Sequence, residues 1–252
     1  MSVVTYESKG GIAVITINRP DKANALNEEV AVALRDAWRR FQGSDEDRVA
    51  ILTAAGEKHF SGGADLSAPP EIWSFAPGLG VAVDKPVIAA INGWCVGGAV
   101  VLVQFCDLAV MVEGTKFSYP EAKIGFSGGL IASLVPRMPH KIAMEFILVG
   151  DEMTAERAYE VGFVNKVVPR EELMPTAMAY AETLAANSPA VMRMLKRHIQ
   201  ELMPKGAAEL YGHGRRQLTE LREGDDGEEG RAALREKRKP NFTGKKEPWG
   251  GG

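Results

Sequence analysis

Residues 86–107 read PVIAAINGWCVGGAVVLVQFCD, and between Pro86 and Cys106 only Asn92 and Gln104 are strongly polar. The run is long enough to suggest a membrane helix, which needs about 20 predominantly apolar residues. Gly93, Gly97 and Gly98 interrupt its middle, and Asp107 follows it directly. Residues 87–91 (VIAAI) have the length and β-branched content of a buried strand. Asn92-Gly93 supplies a turn, and the apolar residues after Gly97-Gly98 continue as a buried helix. The stretch therefore predicts strand, turn and helix inside a protein core.

The same alternation extends to both sides. An opening segment with Val4 and Tyr6 runs into Gly10-Gly11, and residues 12–17 (IAVITI) follow, which is a hairpin pattern. Asn27, with Glu28 and Glu29 behind it, caps a helix that places Val30, Leu34, Trp38 and Phe41 on one face. Residues 49–52 (VAIL) form a short buried strand that ends in a loop through Asp65. Residues 107–112 and 116–118 read as further strands. Strands and helices thus alternate through two-thirds of the chain, which predicts an α/β fold. Beyond Val168 the pattern is helical, with Ser188-Pro189 opening a helix that carries Val191, Met194, Leu195 and Ile199. From Gly224 the chain is charge-rich, and a tail ending in Trp249 and three glycines reads as mobile unless a partner holds it.

Composition narrows the function classes. With 252 residues, 45% of them hydrophobic and 25% charged, the chain can bury one large core. A net charge of -3 gives no footprint for nucleic acid. Cys95 and Cys106 have no paired spacing and read as thiols of a reducing compartment. His59, His140, His198 and His213 lack metal-ligand spacing, which argues against a zinc site. The start MSVVTYESKGG has no basic, then apolar, leader pattern. These features together predict a cytoplasmic protein without a membrane or nucleic-acid partner.

Two glycine-rich turns stand out: Ser61-Gly62-Gly63-Ala64-Asp65 and Gly97-Gly98-Ala99. Each follows an apolar strand and is expected to precede a helix. Unpaired backbone N–H groups at such turns, brought together, can hold an anionic oxygen; glycines in tight turns also serve packing alone. Around these turns the chain resembles the crotonase superfamily, the enoyl-CoA hydratase/isomerase family. The resemblance is carried in order by Asn18-Arg19-Pro20, Asn24-Ala25-Leu26-Asn27, Phe60-Ser61-Gly62-Gly63-Ala64-Asp65-Leu66, residues 86–93, Gly97-Gly98-Ala99 and Phe117-Ser118-Tyr119-Pro120-Glu121. Gly150, Ala155, Ala158 and Gly162-Phe163-Val164 complete it, so that it spans about residues 3 to 168.

The resemblance implies a spiral of β-β-α units over residues 1–190, with C-terminal helices and tail at 191–252 that serve assembly into trimers or pairs of trimers. It implies an acyl-CoA thioester as substrate and no cofactor beyond the coenzyme A that the substrate carries. The backbone amides of Ala64 and Gly98 map onto the family's oxyanion hole, and Glu121 onto a catalytic glutamate. A family hydratase has a second glutamate, whose place here is taken by Val101, and a valine moves no proton. One carboxylate suffices to take a proton from carbon 2 and return it at carbon 4. The expected activity is therefore that of an enoyl-CoA isomerase, 3-enoyl to 2-enoyl. Hydration or another enolate chemistry is the alternative, and a non-catalytic acyl-CoA-binding scaffold stands outside catalysis. Apolar surroundings are expected to raise the pKa of Glu121 toward neutrality.

The remaining candidates follow from the same resemblance. Lys22 and Ala23 fall where coenzyme A phosphates would meet the chain, although an exposed lysine is usually only a solvated charge. Gly62, Asp65, Leu66, Trp73, Trp94, Val101 and Gly129 fall around the thioester and acyl pocket, with Phe75 beside Trp73. Asp65 also reads as the cap of a helix beginning at Leu66. Asp107 reads as structural, and Glu71 is the one further acid within reach of the pocket segment. Gly125-Phe126-Ser127-Gly128-Gly129 matches the nucleophile elbow of serine hydrolases, with Asp151 and His198 in triad order. It lacks the buried strand that such an elbow requires before the serine.

Overall fold

The computed structural model describes residues 2–244; Trp249 and the final glycines lie outside the described residues. Among the described residues ten strands are arranged in two sheets. They are β1 (Val4–Lys9), β2 (Ile12–Ile17), β3 (Val49–Ala54), β4 (His59–Ser61), β5 (Val87–Ile91), β6 (Trp94–Val96), β7 (Leu108–Val112), β8 (Lys116–Ser118), β9 (Met153–Thr154) and β10 (Lys166–Val168). The larger sheet has the order β1-β2-β3-β5-β7-β10, and the smaller the order β4-β6-β8-β9. From β2 onward the larger sheet is parallel, with β1 antiparallel at its edge. Three times in succession a strand of the larger sheet turns directly into a strand of the smaller: β3 into β4, β5 into β6 and β7 into β8. This repeat agrees with the spiral of β-β-α units that the resemblance implies; the short strands β4 and β6 fall where the sequence reads as loop and turn.

The apolar runs are explained by burial on both faces. Val49 and Ile51 of β3 join Ile88 and Ala90 of β5 in one cluster, and Ala50, Leu52, Ala89 and Ile91 point into the other. Parallel strands covered on both sides read as continuous apolar runs. The helices are α1 (Glu28–Gly43), α2 (Gly98–Gln104), α3 (Glu121–Ile124), α4 (His140–Met144), α5 (Ala155–Glu160), α6 (Leu173–Ala186), α7 (Pro189–Leu202), α8 (Ala207–Glu223) and α9 (Asp225–Glu236). Helix α6 covers one face of the larger sheet with Leu173, Ala177 and Ala181. Helix α1 lies on the other side and buries Val30, Leu34, Trp38 and Phe41 completely. Its Asn27 cap accepts the Val30 N–H at 3.0 Å, and Lys85 closes the far end by donating to the carbonyls of Phe41, Ser44 and Asp47.

The stretch 86–107 is β5, turn and α2, as its glycines predict, with the further short strand β6 inside the expected turn. Asp107 is structural: it accepts the Val87 N–H and the Lys196 ammonium, both at 2.7 Å, and so ties β5 to α7. One expected element is absent. No helix begins at Leu66; Asp65 instead folds a local turn by accepting the Ser67 N–H and hydroxyl. Short polar side chains compete with a helix in this way. Among the described residues no helix is long and apolar enough to cross a membrane.

Candidate functional site

The first glycine turn is held by the loop ahead of α1. Leu26 and Ala64 form a parallel bridge. The Leu26 N–H donates to Gly63 O and the Asp65 N–H to Leu26 O, each at 2.8 Å. The Gly63 N–H is taken by Ser61 Oγ at 3.1 Å. The Ala64 N–H between them has no acceptor among the described residues. Gly63 must be glycine twice over: its φ is +89°, and a Cβ there would stand 2.7 Å from Val96 O.

The second turn comes from the end of β6. Gly98 is the first residue of α2, where an N–H has no partner within the helix. The two amide nitrogens lie close together where the turns meet. The Gly98 nitrogen lies 3.4 Å from where a Gly63 Cβ would be, and the Ala64 nitrogen 3.6 Å from where a Gly98 Cβ would be. Any side chain at either glycine would intrude there.

Glu121 closes the third side. It begins the short helix α3 and is 9% exposed, with Oε2 enclosed and without a hydrogen-bond partner. Its other oxygen lies 2.8 Å from where a Cβ on Gly97 would stand. Gly97 has φ +55°, so this position is closed to side chains by both backbone and space. Burial pushes the Glu121 pKa up to about 7, and its own backbone N–H offsets only part of that. Val101 is 4% exposed and lies three residues along α2 from Gly98, on the same helix face. The arrangement can hold an oxyanion between two amides and exchange one proton beside it; a second proton-transfer group is not provided by Val101.

The structure redistributes the other candidates. Ile72, in the turn Ile72–Phe75, packs on Gly98 with its Cδ1 2.9 Å from the would-be Cβ. Its neighbour Trp73 turns toward α8, meets the Tyr211 ring edge-on at 6.0 Å and donates its indole N–H to Glu71 at 2.9 Å. Phe75 is fully buried core. Trp94 lies at the surface of β6. It is 40% exposed, in register with His59, and its ring carries Lys116 at 4.1 Å. In β6 the buried partner is Cys95, so alternation turns Trp94 outward. Glu71 is exposed, with its carboxylate on Trp73.

Gly62 and Leu66 are exposed at the mouth of the first turn, and Ala23 O accepts the Gly62 N–H at 2.8 Å. Lys22 is exposed in the turn Pro20–Lys22. The bonds from Ser67 hold Asp65 below the usual carboxylate range, with Arg19 and Lys22 adding to the effect. Gly129 turns the chain with φ +74° after Ser127, whose hydroxyl accepts the Gly129 N–H and meets Tyr119 Oη at 3.2 Å. Ser127 follows a four-residue helix rather than a strand, Asp151 pairs with Lys123, and His198 is exposed on α7. No nucleophile elbow is formed. Arg238 folds back onto Glu229 of α9 at 2.8 Å, and Phe242 lies exposed near Gly230.

The chain is similar to known proteins over nearly all of its length. The family described as enoyl-CoA hydratase/isomerase matches residues 7–71 and 79–245, which include both glycine turns and Glu121. The (E)-benzylidenesuccinyl-CoA hydratase of Thauera aromatica is 35% identical over 255 residues, covering 96% of this chain and 99% of that protein. The carnitinyl-CoA dehydratase of Salmonella typhi is 37% identical over 253 residues, covering 94% and 96%. Among solved structures, a carnitinyl-CoA hydratase from Mycobacterium avium superposes with a TM-score of 0.74 at 34% identity, over 97% of this chain and all of that one.

Proposed function

The chain belongs to the enoyl-CoA hydratase/isomerase family, and from that premise we propose that it shifts a double bond of an acyl-CoA thioester from position 3 to position 2, with Glu121 as its proton carrier. The observation that carries the reading is a single buried carboxyl, titrating near neutrality, beside two free backbone amides. Glu121 as carboxylate takes a proton from carbon 2. The electron pair moves onto the thioester oxygen, which the Ala64 and Gly98 N–H groups hold as an enolate oxygen. The enolate is conjugated with the 3,4 double bond, so return of the same proton to carbon 4 leaves a 2,3 double bond and restores the carboxylate. A pKa near 7 suits a group that must both accept and donate at neutral pH. The atoms balance without a cofactor.

Water addition is the second reading, favoured by the names of the relatives, which are a hydratase and a dehydratase. Against it stands Val101, buried where family hydratases carry their other glutamate. The protein incubated separately with 3-enoyl- and 2-enoyl-CoA decides between them. Formation of 2-enoyl-CoA without 3-hydroxyacyl-CoA supports isomerisation, and hydroxyacyl product from either substrate supports hydration. Binding without either product supports an acyl-CoA scaffold. Assembly as a trimer or pair of trimers belongs to the same proposal. Val191, Leu195, Ile199 and Leu202 lie exposed along α7, an apolar stripe that a monomer would leave in water. Sedimentation at micromolar concentration tests it, and a monomeric mass would refute it.

A further inference from the structure

Ala23 and Asn24 are consecutive residues in the left-handed region, with φ +51° and +53°. Among the described residues the one other non-glycine there is Lys237, which ends α9. A left-handed helix end is routine, but two successive non-glycine residues in that region are held only where the surroundings over-determine them. Asparagine is the non-glycine residue best suited to the conformation.

The Asn24 side chain supplies the restraint. It is 1% exposed. Its Oδ1 accepts the Arg19 N–H at 2.9 Å. Its Nδ2 donates to Ala55 O and His59 O, both at 2.9 Å. Those carbonyls flank the turn between β3 and β4, so the side chain pins the left-handed loop to the strand that leads into the first glycine turn. The pinned backbone then contacts the residues flanking Ala64. Ala23 O takes the Gly62 N–H, Leu26 N–H reaches Gly63 O, and Leu26 O takes the Asp65 N–H, each at 2.8 Å. The Ala64 amide is bracketed on both sides by bonds to the segment that Asn24 holds.

We propose that Asn24 is a positioning residue for catalysis: it holds a strained loop whose backbone aims the Ala64 N–H at the thioester oxygen. The proposal rests on the reading of Ala64 and Gly98 as the oxyanion donors. A displacement of roughly 1 Å in such a donor can cost about a hundredfold in rate. Asn24 touches no reacting atom, and its effect passes through the loop.

The test uses two variants of the full-length protein. Asn24→Gly keeps the left-handed backbone and removes all three side-chain bonds. Asn24→Asp keeps the shape and the acceptor for Arg19, and removes both donors. The probe is 2,4-hexadienoyl-CoA, whose conjugated absorption moves to longer wavelength when its carbonyl is polarised. Wild type is expected to red-shift the bound probe. Both variants are expected to bind it with a much smaller shift, and to lose about tenfold or more in kcat with KM nearly unchanged. A variant that folds and keeps the full shift and kcat overturns the inference. A wild-type protein that binds the probe without any shift overturns the reading of the two amides instead, so the two failures are distinguishable.

Discussion

Glu121→Gln separates activity from stability in a way that follows from burial. The side chain keeps its shape, and the backbone donors at Ala64 and Gly98 are untouched. General acid–base catalysis contributes about 10²–10⁴-fold, and a glutamine can supply none of it. The stability effect has the opposite sign. In the fold the carboxyl has its pKa raised from 4.5 to about 7. Protonation therefore favours the folded state, and stability is lost as pH rises from about 4.5 through 7. At about 1.4 kcal/mol per pH unit, keeping Glu121 ionised costs the fold roughly 3 kcal/mol above pH 7. Glutamine has no such cost. Urea unfolding of both proteins at equal concentration is expected to show near-equal stability at pH 4.5, with the variant more stable by about 3 kcal/mol at pH 8. A variant of equal or lower stability at pH 8, or one with full turnover of 3-enoyl-CoA, would refute the reasoning.

Other substitutions test other contacts. Gly97→Ala meets both a φ of +55° and Glu121 Oε1 at 2.8 Å, so it should lose about 1 kcal/mol or more of stability together with most activity; melting curves and turnover check both. Val101→Glu buries an acid at a site 4% exposed, which should destabilise the fold by about 2 kcal/mol or more while adding a trace of 3-hydroxyacyl product. Lys85→Met leaves the carbonyls of Phe41, Ser44 and Asp47 without their donor and should cost about 2 kcal/mol in denaturant unfolding.

Legibility in the sequence followed the range over which each signal acts. The hairpin, the buried face of α1 and the strand–turn–helix of residues 86–107 are local patterns, and the structure reproduces them. The helix expected after Asp65 fails because Asp65 spends its oxygen on Ser67, a competition between two local choices that a cap pattern does not resolve. Trp73 and Trp94 stand out in the sequence by size, which says nothing of direction: the first turns toward Tyr211, and the smaller Ile72 beside it reaches Gly98. Alternation against buried Cys95 was the available signal for Trp94, weak in a strand of three residues. Gly97 reads in the sequence as part of a turn, but its contact with Glu121 joins segments 24 residues apart that only the fold brings together. Asn24 carried no signal for its left-handed backbone, since asparagine adopts several conformations and tertiary bonds select one.

The most direct test of a single-carboxyl proton shuttle is the fate of one proton. A 3-enoyl-CoA carrying deuterium at carbon 2 is turned over in ordinary water, and the early product is read by NMR and mass spectrometry. Glu121 is enclosed, with Oε2 inaccessible and no other proton-transfer group at Val101. The expected product is 2-enoyl-CoA with a substantial share of the deuterium at carbon 4 and no 3-hydroxyacyl-CoA. Accumulation of 3-hydroxyacyl-CoA, or 2-enoyl product whose carbon 4 carries only solvent hydrogen from the first turnover, would contradict the account.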